Sequence, residues 1–423
     1  LLIFSCSSDK DKKVDLEIFK KQGEKINVFE ANNVFDKEVD SKSILQLNQA
    51  QLNKKWTYEH YSSNNFYDHL VYEGKFQDIF KKNIGDYINK NNDSGSLLVF
   101  ENFIFFSDEK GRIYKFDLNS QKTIWELKIY DSSYNDYPKN IALFLNADVL
   151  YAADNLGFVY SIDTQTGKTI WQQNYGIPFS SHLNFHKGVL YVVNQNSRLY
   201  AFNPSDGQKI WSFESLSGLI KPSRSSNISL YDNKLLFSND VGDITAIDLD
   251  QQVIIWTKNI LSQNSISNNL VFKISNILID KKEVFVSSNS GDLFNFNVES
   301  GEIKWSQKLT SIQNHISTDK YLFVLTENGF VVAFNKTNGN ILWSVNLSKL
   351  SKDSKIKVDY YGLLLASNNL YATSSNGDIY KISALDGKYI SHKKINSDLS
   401  RAPIVVDNKI FILNRSSELI ILN

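Results

Sequence analysis

The stretch at 147–171 reads ADVLYAADNLGFVYSIDTQTGKTIW, and the same unit recurs as KEVFVSSNSGDLFNFNVESGEIKW at 282–305 and as KYLFVLTENGFVVAFNKTNGNILW at 320–343. Each copy has a β-rich run, a polar turn with Gly, and a second run of alternating apolar and polar residues. Another turn follows, and then a Trp opens a third run. This order predicts three strands and two hairpins in every copy.

A fixed spacing links the first turn of each unit to its Trp. The turn residue stands 14 positions before the Trp in six copies: Gly111 and Trp125, Gly157 and Trp171, Ser197 and Trp211, Gly242 and Trp256, Gly291 and Trp305, and Gly329 and Trp343. The frame recurs a seventh time at Gly377, where Ser391 replaces the Trp. Units of about 45 residues leave room for a fourth strand, which predicts four-stranded β-propeller blades.

The two ends of the chain together predict one more blade. Residues 402–423 supply β-rich runs but stop where a fourth strand would begin, and residues 52–61, which contain Trp56, offer a strand without preceding partners. We therefore expect an all-β fold over 52–423, an eight-bladed β-propeller of four-stranded antiparallel blades. Its ring is closed by joining the N- and C-terminal strands, which removes an open sheet edge. Residues from about 62 to 96 are expected to be an insertion, for which an extra surface loop is one arrangement that the sequence leaves open.

Composition restricts the class of protein. Hydrophobic residues make up 42% of the 423 residues and aromatic residues 13%, which is typical of a globular chain with a large core. Lys and Arg number 46, and so do Asp and Glu, so no net charge favours nucleic acid as a partner.

The single cysteine, Cys6, follows an apolar stretch that ends in the small residue Ser5, and it precedes a charged stretch at 9–13. This order resembles the end of a bacterial lipoprotein signal peptide, in which the Cys thiol receives the lipid. It predicts a signal-peptide remnant at 1–5, a lipidated Cys6 and a flexible tether over 6–51. Because Ser follows the Cys, we expect a lipid anchor in the outer membrane, on its periplasmic face. An ordinary free Cys or the end of a truncated transmembrane helix are the alternatives.

The turn phrases identify a known type of repeat. YSIDTQTGKTIW (160–171), AFNPSDGQKIW (201–211) and AFNKTNGNILW (333–343) resemble the repeat of quinoprotein-type (PQQ-like) propellers. Each Trp is followed by Glu, Gln, Ser or Thr and never by Asp, unlike WD40 repeats. The resemblance implies that the repeat tryptophans pack between neighbouring blades rather than bind a ligand. We assign this structural role to Trp56, Trp125, Trp171, Trp211, Trp256, Trp305 and Trp343.

Two functions use this repeat, and length, blade number, tether and Cys6 favour the second. The first is a quinone-dependent (PQQ) dehydrogenase, which holds its cofactor with calcium and commonly has an adjacent Cys pair; this chain has one Cys. The second is the BamB-like family of outer-membrane assembly factors. That resemblance implies a non-enzymatic scaffold without cofactor. Its implied partners are the periplasmic domains of a BamA-like β-barrel insertase, other assembly-machinery lipoproteins and unfolded outer-membrane protein clients. Another periplasmic propeller scaffold is a further alternative.

One loop carries the predicted partner-binding residues. The segment 213–224 after Trp211 is the longest apolar and basic loop between repeat cores, at the position where BamB-like proteins bind their partner. Exposed apolar anchors beside an Arg are typical of a binding hot spot. The candidates are Leu216, Leu219, Ile220 and Arg224. Alternatively, Leu219 and Ile220 begin the next inner strand. The family's acidic contacts have no counterpart in 272–276.

Other constellations give no site. His182 and His186 stand four apart, which suits metal binding on a helix but not in a strand-rich repeat. We expect no metal site and no catalytic residues. Turn aspartates are expected to bond to backbone amides in their hairpin loops, as in Asp154, Asp163, Asp240 and Asp248.

Overall fold

The computed structural model describes residues 35–86, 96–134, 137–219, 226–261, 271–350, 358–395 and 397–423. Eight antiparallel sheets form the eight blades of a β-propeller, so the predicted fold class is confirmed. Blades are numbered in chain order, and burial falls from the first strand of a blade, which lines the centre of the ring, to the fourth strand at its rim. Cys6 and the remnant at 1–5 lie outside the described residues, and none of the helices within the described ranges is long and apolar enough to cross a membrane.

The strands of blades 1 to 4 are β3 (Leu97–Phe100), β4 (Phe103–Ser107), β5 (Arg112–Asp117) and β6 (Lys122–Lys128); β7 (Ile141–Asn146), β8 (Val149–Asp154), β9 (Phe158–Asp163) and β10 (Thr169–Asn174); β11 (Asn184–His186), β12 (Val189–Val193), β13 (Arg198–Phe202) and β14 (Lys209–Glu214); and β15 (Ile228–Tyr231), β16 (Lys234–Ser238), β17 (Asp243–Asp248) and β18 (Val253–Asn259). Blade 1 has one additional strand, β1 (Lys55–Trp56). A short 3₁₀ helix, Ser132–Tyr134, follows blade 1.

The strands of blades 5 to 8 are β19 (Leu278–Asp280), β20 (Glu283–Ser287), β21 (Asp292–Asn297) and β22 (Ile303–Lys308); β23 (Ile316–Ser317), β24 (Tyr321–Leu325), β25 (Phe330–Asn335) and β26 (Ile341–Asn346); β27 (Tyr360–Ala366), β28 (Asn369–Ser374), β29 (Asp378–Ser383) and β30 (Tyr389–Lys394); and β31 (Ile404–Val406), β32 (Lys409–Leu413) and β33 (Glu418–Leu422), completed by β2 (Asp78–Asn83). A second 3₁₀ helix, Leu347–Lys349, follows blade 6.

Turn chemistry explains the fixed spacing seen in the sequence. In blade 2, Gly157 has φ +94°, a left-handed conformation that glycine adopts without steric cost. The carboxylate of Asp154 accepts hydrogen bonds from the backbone N–H groups of Leu156 and Phe158, each at 2.9 Å. These bonds fix the turn between the second and third strands and thereby set the register of the hairpin.

The tryptophans of the outer strands join neighbouring blades. The Trp125 indole N–H of blade 1 donates to the carbonyl of Thr164 in blade 2 at 3.0 Å, and a Cβ on Gly167 would lie 2.6 Å from the indole ring. Gly167, in the turn between the third and fourth strands, therefore lets blade 2 approach the tryptophan of blade 1. The same indole–carbonyl bond recurs for Trp171, Trp256 and Trp305, at 2.9, 2.9 and 2.8 Å.

Ring closure is confirmed, but the strand that closes the ring differs from the prediction. The fourth strand of blade 8 is β2, not 52–61, and it pairs with β33. The outer strands have a β-bulge directly before the Trp, and β2 has the same bulge directly before Phe80. The Phe80 ring lies 6.1 Å from that of Phe116 in blade 1. Phe80 thus takes the repeat-tryptophan position of blade 8.

The assignment of Trp56 to the repeat tryptophans is wrong. Trp56 lies in β1, opposite Val99 of the innermost strand of blade 1. It is buried and packs against Tyr61 and Tyr67, with ring centroids at 4.9 and 5.8 Å. The residue 14 positions before it is Lys42 rather than a turn glycine, so Trp56 never had the spacing of the other six.

Residues 53–76, called the inner segment below, lie inside the ring. The part of the expected insertion at 62–76 is therefore not a surface loop. The residues of the inner segment bond to the innermost strands or their turns in successive blades. The backbone bonds are Asp407 N–H to Asn53 O (2.8 Å), Leu145 N–H to Thr57 O (3.0 Å), Leu230 N–H to Ser63 O (2.9 Å), Ile279 N–H to Asn64 O (3.0 Å) and Leu70 N–H to Leu365 O (3.0 Å). These partners belong to blades 8, 2, 4, 5 and 7, so the inner segment makes one circuit of the ring before the chain leaves it as β2.

Residues 35–44, called the strap below, lie against the rim of blade 6. Val39 pairs antiparallel with Ser344 of β26, and Phe35 packs edge-on against Phe330 at 5.4 Å. Farther along, the Leu45 N–H donates to the carbonyl of Leu385 at 2.9 Å. The part of the expected tether that the structure describes, 35–51, therefore contacts the propeller, because its apolar side chains and backbone groups find partners there.

Candidate interaction surface

Two leucines of the predicted partner-binding set lie exposed on the described part of the loop after β14, residues 215–219. Leu216 has 72% of its surface exposed, and Leu219 is fully exposed at 101%. The loop joins the outer strand of blade 3 to the first strand of blade 4, so antiparallel topology places it on the face opposite to the inner segment. A leucine exposed on an ordered loop is a ready apolar anchor for a partner.

The turn between β16 and β17 of blade 4 holds this loop in place. The carboxylate of Asp240 accepts hydrogen bonds from the Gly218 N–H at 2.9 Å and from the Ser217 hydroxyl at 3.4 Å. The Asn239 side-chain amide donates to the Ser215 hydroxyl at 3.0 Å. Asp240 itself is only 8% exposed, so its bonds to the loop are shielded from water. Residues 215–218 are thus hydrogen-bonded to blade 4, while Leu216 and Leu219 are exposed.

The contact of Asp240 with this loop was missed by sequence reasoning. Asp154, Asp163 and Asp248 do bond to amides of their own turns, as expected. Asp240 instead reaches the loop of the preceding blade, at Gly218. No local pattern distinguishes it, because its partner lies 22 residues earlier in the chain.

The remaining predicted partner-binding residues, Ile220 and Arg224, lie outside the described residues. The alternative interpretation, in which Leu219 begins the next inner strand, is wrong, because that strand, β15, starts only at Ile228. Of the four candidates, the structure therefore brings Leu216 and Leu219 together on one exposed loop.

The centre of the ring, on the face of the inner segment, is filled by the chain's own side chains. Asn65 is buried and donates from its amide to the carbonyls of Ile228 and Ile277, each at 3.0 Å, which ties blades 4 and 5 together. Tyr67 packs on Tyr61 at 5.8 Å, and burial raises the pKa of both phenols well above their usual range. These phenols stay protonated and contribute packing and hydrogen bonding at the ring centre.

The histidines do not assemble a metal site within the described ranges. His186 ends the short strand β11, as the strand-rich reading of this stretch required, and the ring of His182 lies edge-on to that of His60 at 4.7 Å. Among described residues, no group of three or more His, Cys, Asp or Glu side chains is placed to hold a metal ion.

A buried histidine in blade 6 is structural. The Ser287 hydroxyl donates to the carbonyl of Ser311 at 2.7 Å, so the His315 Nε2–H at 2.9 Å must donate to Ser287. Burial lowers the pKa of His315 to about 3 because the protonated ring would have to lose its hydration. His315 is therefore neutral in the folded protein at physiological pH.

Comparison with known proteins agrees with the repeat and with the fold. Residues 109–345 and 327–423 match the family of the outer membrane protein assembly factor BamB. The chain belongs to the BamB family. A curated relative, the outer membrane protein assembly factor BamB of Yersinia pestis, is 22% identical over 323 residues, which cover 74% of this chain and 80% of that protein.

Solved structures share the propeller fold at low sequence identity. BamB from Moraxella catarrhalis superposes with a TM-score of 0.66 at 14% identity and covers 82% of this chain and 98% of its own. A europium-containing methanol dehydrogenase superposes with a TM-score of 0.68 at 12% identity, over 85% of this chain and 89% of its own. At these identities the likeness establishes the fold, which BamB proteins and dehydrogenases share, and the choice of function depends on the BamB family match and on the site.

Proposed function

We propose that this BamB-family chain is a non-enzymatic scaffold of the outer-membrane β-barrel assembly machinery. It binds the periplasmic domains of a BamA-like insertase and thereby helps outer-membrane proteins fold and insert. The observation that carries this proposal is the exposure of Leu216 and Leu219 on the loop after blade 3, next to Gly218, whose backbone N–H is held by Asp240. A rigid apolar anchor lowers the entropy lost on binding, as an interaction hot spot requires.

The inner segment supports a scaffold rather than a quinone-dependent dehydrogenase. Trp56, Tyr67, Leu70 and Tyr72 are buried on one face of the ring centre, where their packing holds the blades together. Burial of large side chains there stabilises the ring but removes central space that a cofactor would need. An absorbance scan of the protein purified from its own membranes tests this view. A quinone spectrum that bleaches on adding an alcohol or sugar would favour the enzyme.

The anchor is part of the same proposal. Acyl chains on Cys6 would hold the scaffold at the periplasmic face of the outer membrane, since each buried methylene contributes about 0.8 kcal/mol. A Cys6→Ser variant should move from the membrane to the soluble fraction. Membrane retention of that variant would refute the anchor without affecting the docking loop.

Docking is tested by charge substitution on the loop. Leu216→Asp combined with Leu219→Asp should reduce recovery of the insertase at least tenfold, because burying a leucine contributes about 1.5–3 kcal/mol. Ile124→Asp is the matched control, since Ile124 is also exposed but lies on the rim of blade 1. Equal recovery with the double variant and with the control would overturn the assignment of the loop.

A further inference from the structure

The strap shows how the rim of a blade accepts an extended segment. The Ser344 N–H in β26 donates to the Val39 carbonyl at 2.9 Å, and the Val39 N–H donates to the Ser344 hydroxyl at 2.8 Å. The same hydroxyl donates to the Lys37 carbonyl at 2.6 Å. A serine directly after the repeat tryptophan thus uses its backbone and its side chain to hold an antiparallel strand on the outer edge.

Burial along β26 reflects this added segment. Ser344 is buried, whereas Gln172, Thr257 and Ser306, which occupy the corresponding positions of β10, β18 and β22, are exposed. Leu342, which precedes the tryptophan, is half-buried, while Ile124 and Ile170 at the same position of β6 and β10 are exposed. The strap therefore covers apolar surface that other rims leave in contact with water.

The rim of blade 3 resembles that of blade 6 at two of three outward positions. Alternate residues of an outer strand point to the same side, so three positions describe each rim. They are Leu342, Ser344 and Asn346 in blade 6, and Ile210, Ser212 and Glu214 in blade 3. Only in these two rims is the first of the three positions apolar and the second a serine. The others read Ile79, Lys81, Asn83; Ile124, Glu126, Lys128; Ile170, Gln172, Asn174; Ile255, Thr257, Asn259; Lys304, Ser306, Lys308; and Ile390, His392, Lys394.

The rims of blades 4 and 5 are the most similar to that of blade 3, and each has a feature that opposes an added strand. The Thr257 hydroxyl in blade 4 is hydrogen-bonded to that of Thr245 at 3.2 Å. Ser306 in blade 5 stands between Lys304 and Lys308, and lysines on a sheet edge oppose the addition of another strand. In blade 3 the one charged residue of the rim is Glu214, and its carboxylate is paired with the guanidinium of Arg198. Ile210 is 53% exposed, Ser212 is half-buried, and the described strands include no fifth member of this sheet.

We propose that the rim of β14 binds an extended segment of the insertase's periplasmic domains as an added antiparallel strand, with Ser212 in the role that Ser344 has toward the strap. This inference rests on the proposed function, since it specifies how the same partner is held. The N–H and C=O of Ser212 supply the main-chain hydrogen bonds of strand addition. Ile210 packs against the added strand, and Leu216 and Leu219 continue the contact beyond the end of β14.

Register supports the equivalence of the two serines. Ser344 pairs with Val332 directly after the pair of Trp343 with Ala333, and Ser212 pairs with Tyr200 directly after the pair of Trp211 with Ala201. Because the Ser344 N–H points away from its own sheet, the same register turns the Ser212 N–H outward. A proline at 212 would therefore block an added strand without removing a hydrogen bond of the blade itself.

The test compares Ser212→Pro with Ser306→Pro, the matched change on the rim of blade 5, in binding to the purified periplasmic domains of the insertase. We expect Ser212→Pro to weaken binding at least tenfold and Ser306→Pro to leave it within twofold of the wild type. Amide hydrogen exchange should slow at 210–214 of the wild type on adding the domains. Equal affinity of the two variants, or unchanged exchange at 210–214, would overturn the strand addition.

Two further measurements separate folding and the proposed function from this inference. Ile210→Lys copies the Lys304 of blade 5, needs no proline, and should also weaken binding at least tenfold. If the leucine double variant fails to bind while Ser212→Pro and Ile210→Lys bind normally, the docking loop stands and the added strand is refuted. If the wild type does not bind the domains, the proposed function itself fails.

Discussion

The neutral, buried His315 makes the stability of the protein depend on pH in a calculable way. In the unfolded chain its imidazole takes up a proton around a pKa of 6.5, whereas in the fold its pKa is lowered to about 3. Between these values the unfolded state binds more protons, so the free energy of unfolding falls as the pH falls. From pH 7 to pH 5 the loss is about 2 kcal/mol for this one group.

Urea unfolding monitored by tryptophan fluorescence at pH 7, 6 and 5 measures this loss. His315→Asn carries no titrating group, so its free energy of unfolding should fall by about 2 kcal/mol less than that of the wild type over this range, whatever the other groups contribute. An equal fall in both proteins would refute the reasoning. So would a proton titration of His315 near pH 6.5, observed by NMR of histidine-labelled protein.

Two other substitutions test the contacts between blades. Gly167→Ala should destabilise the protein by about 2 kcal/mol more than Gly188→Ala in thermal unfolding, because both have positive φ but only the Cβ at 167 meets the Trp125 ring. Equal destabilisation by the two substitutions would show that the Trp125 indole moves aside for the added methyl group. Phe80→Ala should lower the free energy of unfolding by about 2–3 kcal/mol and make the ring closure sensitive to protease. Ile79→Ala, which changes an exposed side chain, should lower it by less than about 0.5 kcal/mol. Similar losses in the two variants would show that Phe80 does not contribute to the interface between blades 8 and 1.

The sequence predicted the local part of the fold and missed what connects distant residues. Seven blades could be predicted because, in each of them, the first turn residue and the Trp position of the outer strand are only 14 residues apart. In blade 8 the corresponding turn residue is Ser417, with φ +58°, while the outer-strand residue is Phe80. No spacing rule can pair two positions at opposite ends of the chain, so 52–61 was chosen in place of β2.

The inner segment was missed for a related reason. Its buried residues, such as Trp56, Asn65 and Leu70, each face a different blade, so they follow neither the period of a strand nor that of a helix. The exposed Leu216 and Leu219 were predicted correctly as part of a loop after Trp211, because a run of apolar residues outside the repeat frame is a local signal. The anchoring carboxylate of Asp240 was not, since its partner is in another blade.

The circuit of the inner segment has a consequence for biogenesis. Asn53 bonds to Val405, 352 residues away, so the part of the propeller that is synthesised early has to wait for the part that is synthesised late. Contacts of such high sequence separation slow folding, and the aromatic residues at 56–72 stay exposed meanwhile. A protein proposed to assist the folding of other chains thus passes, during its own folding, through a stage in which its apolar surface is exposed to aggregation.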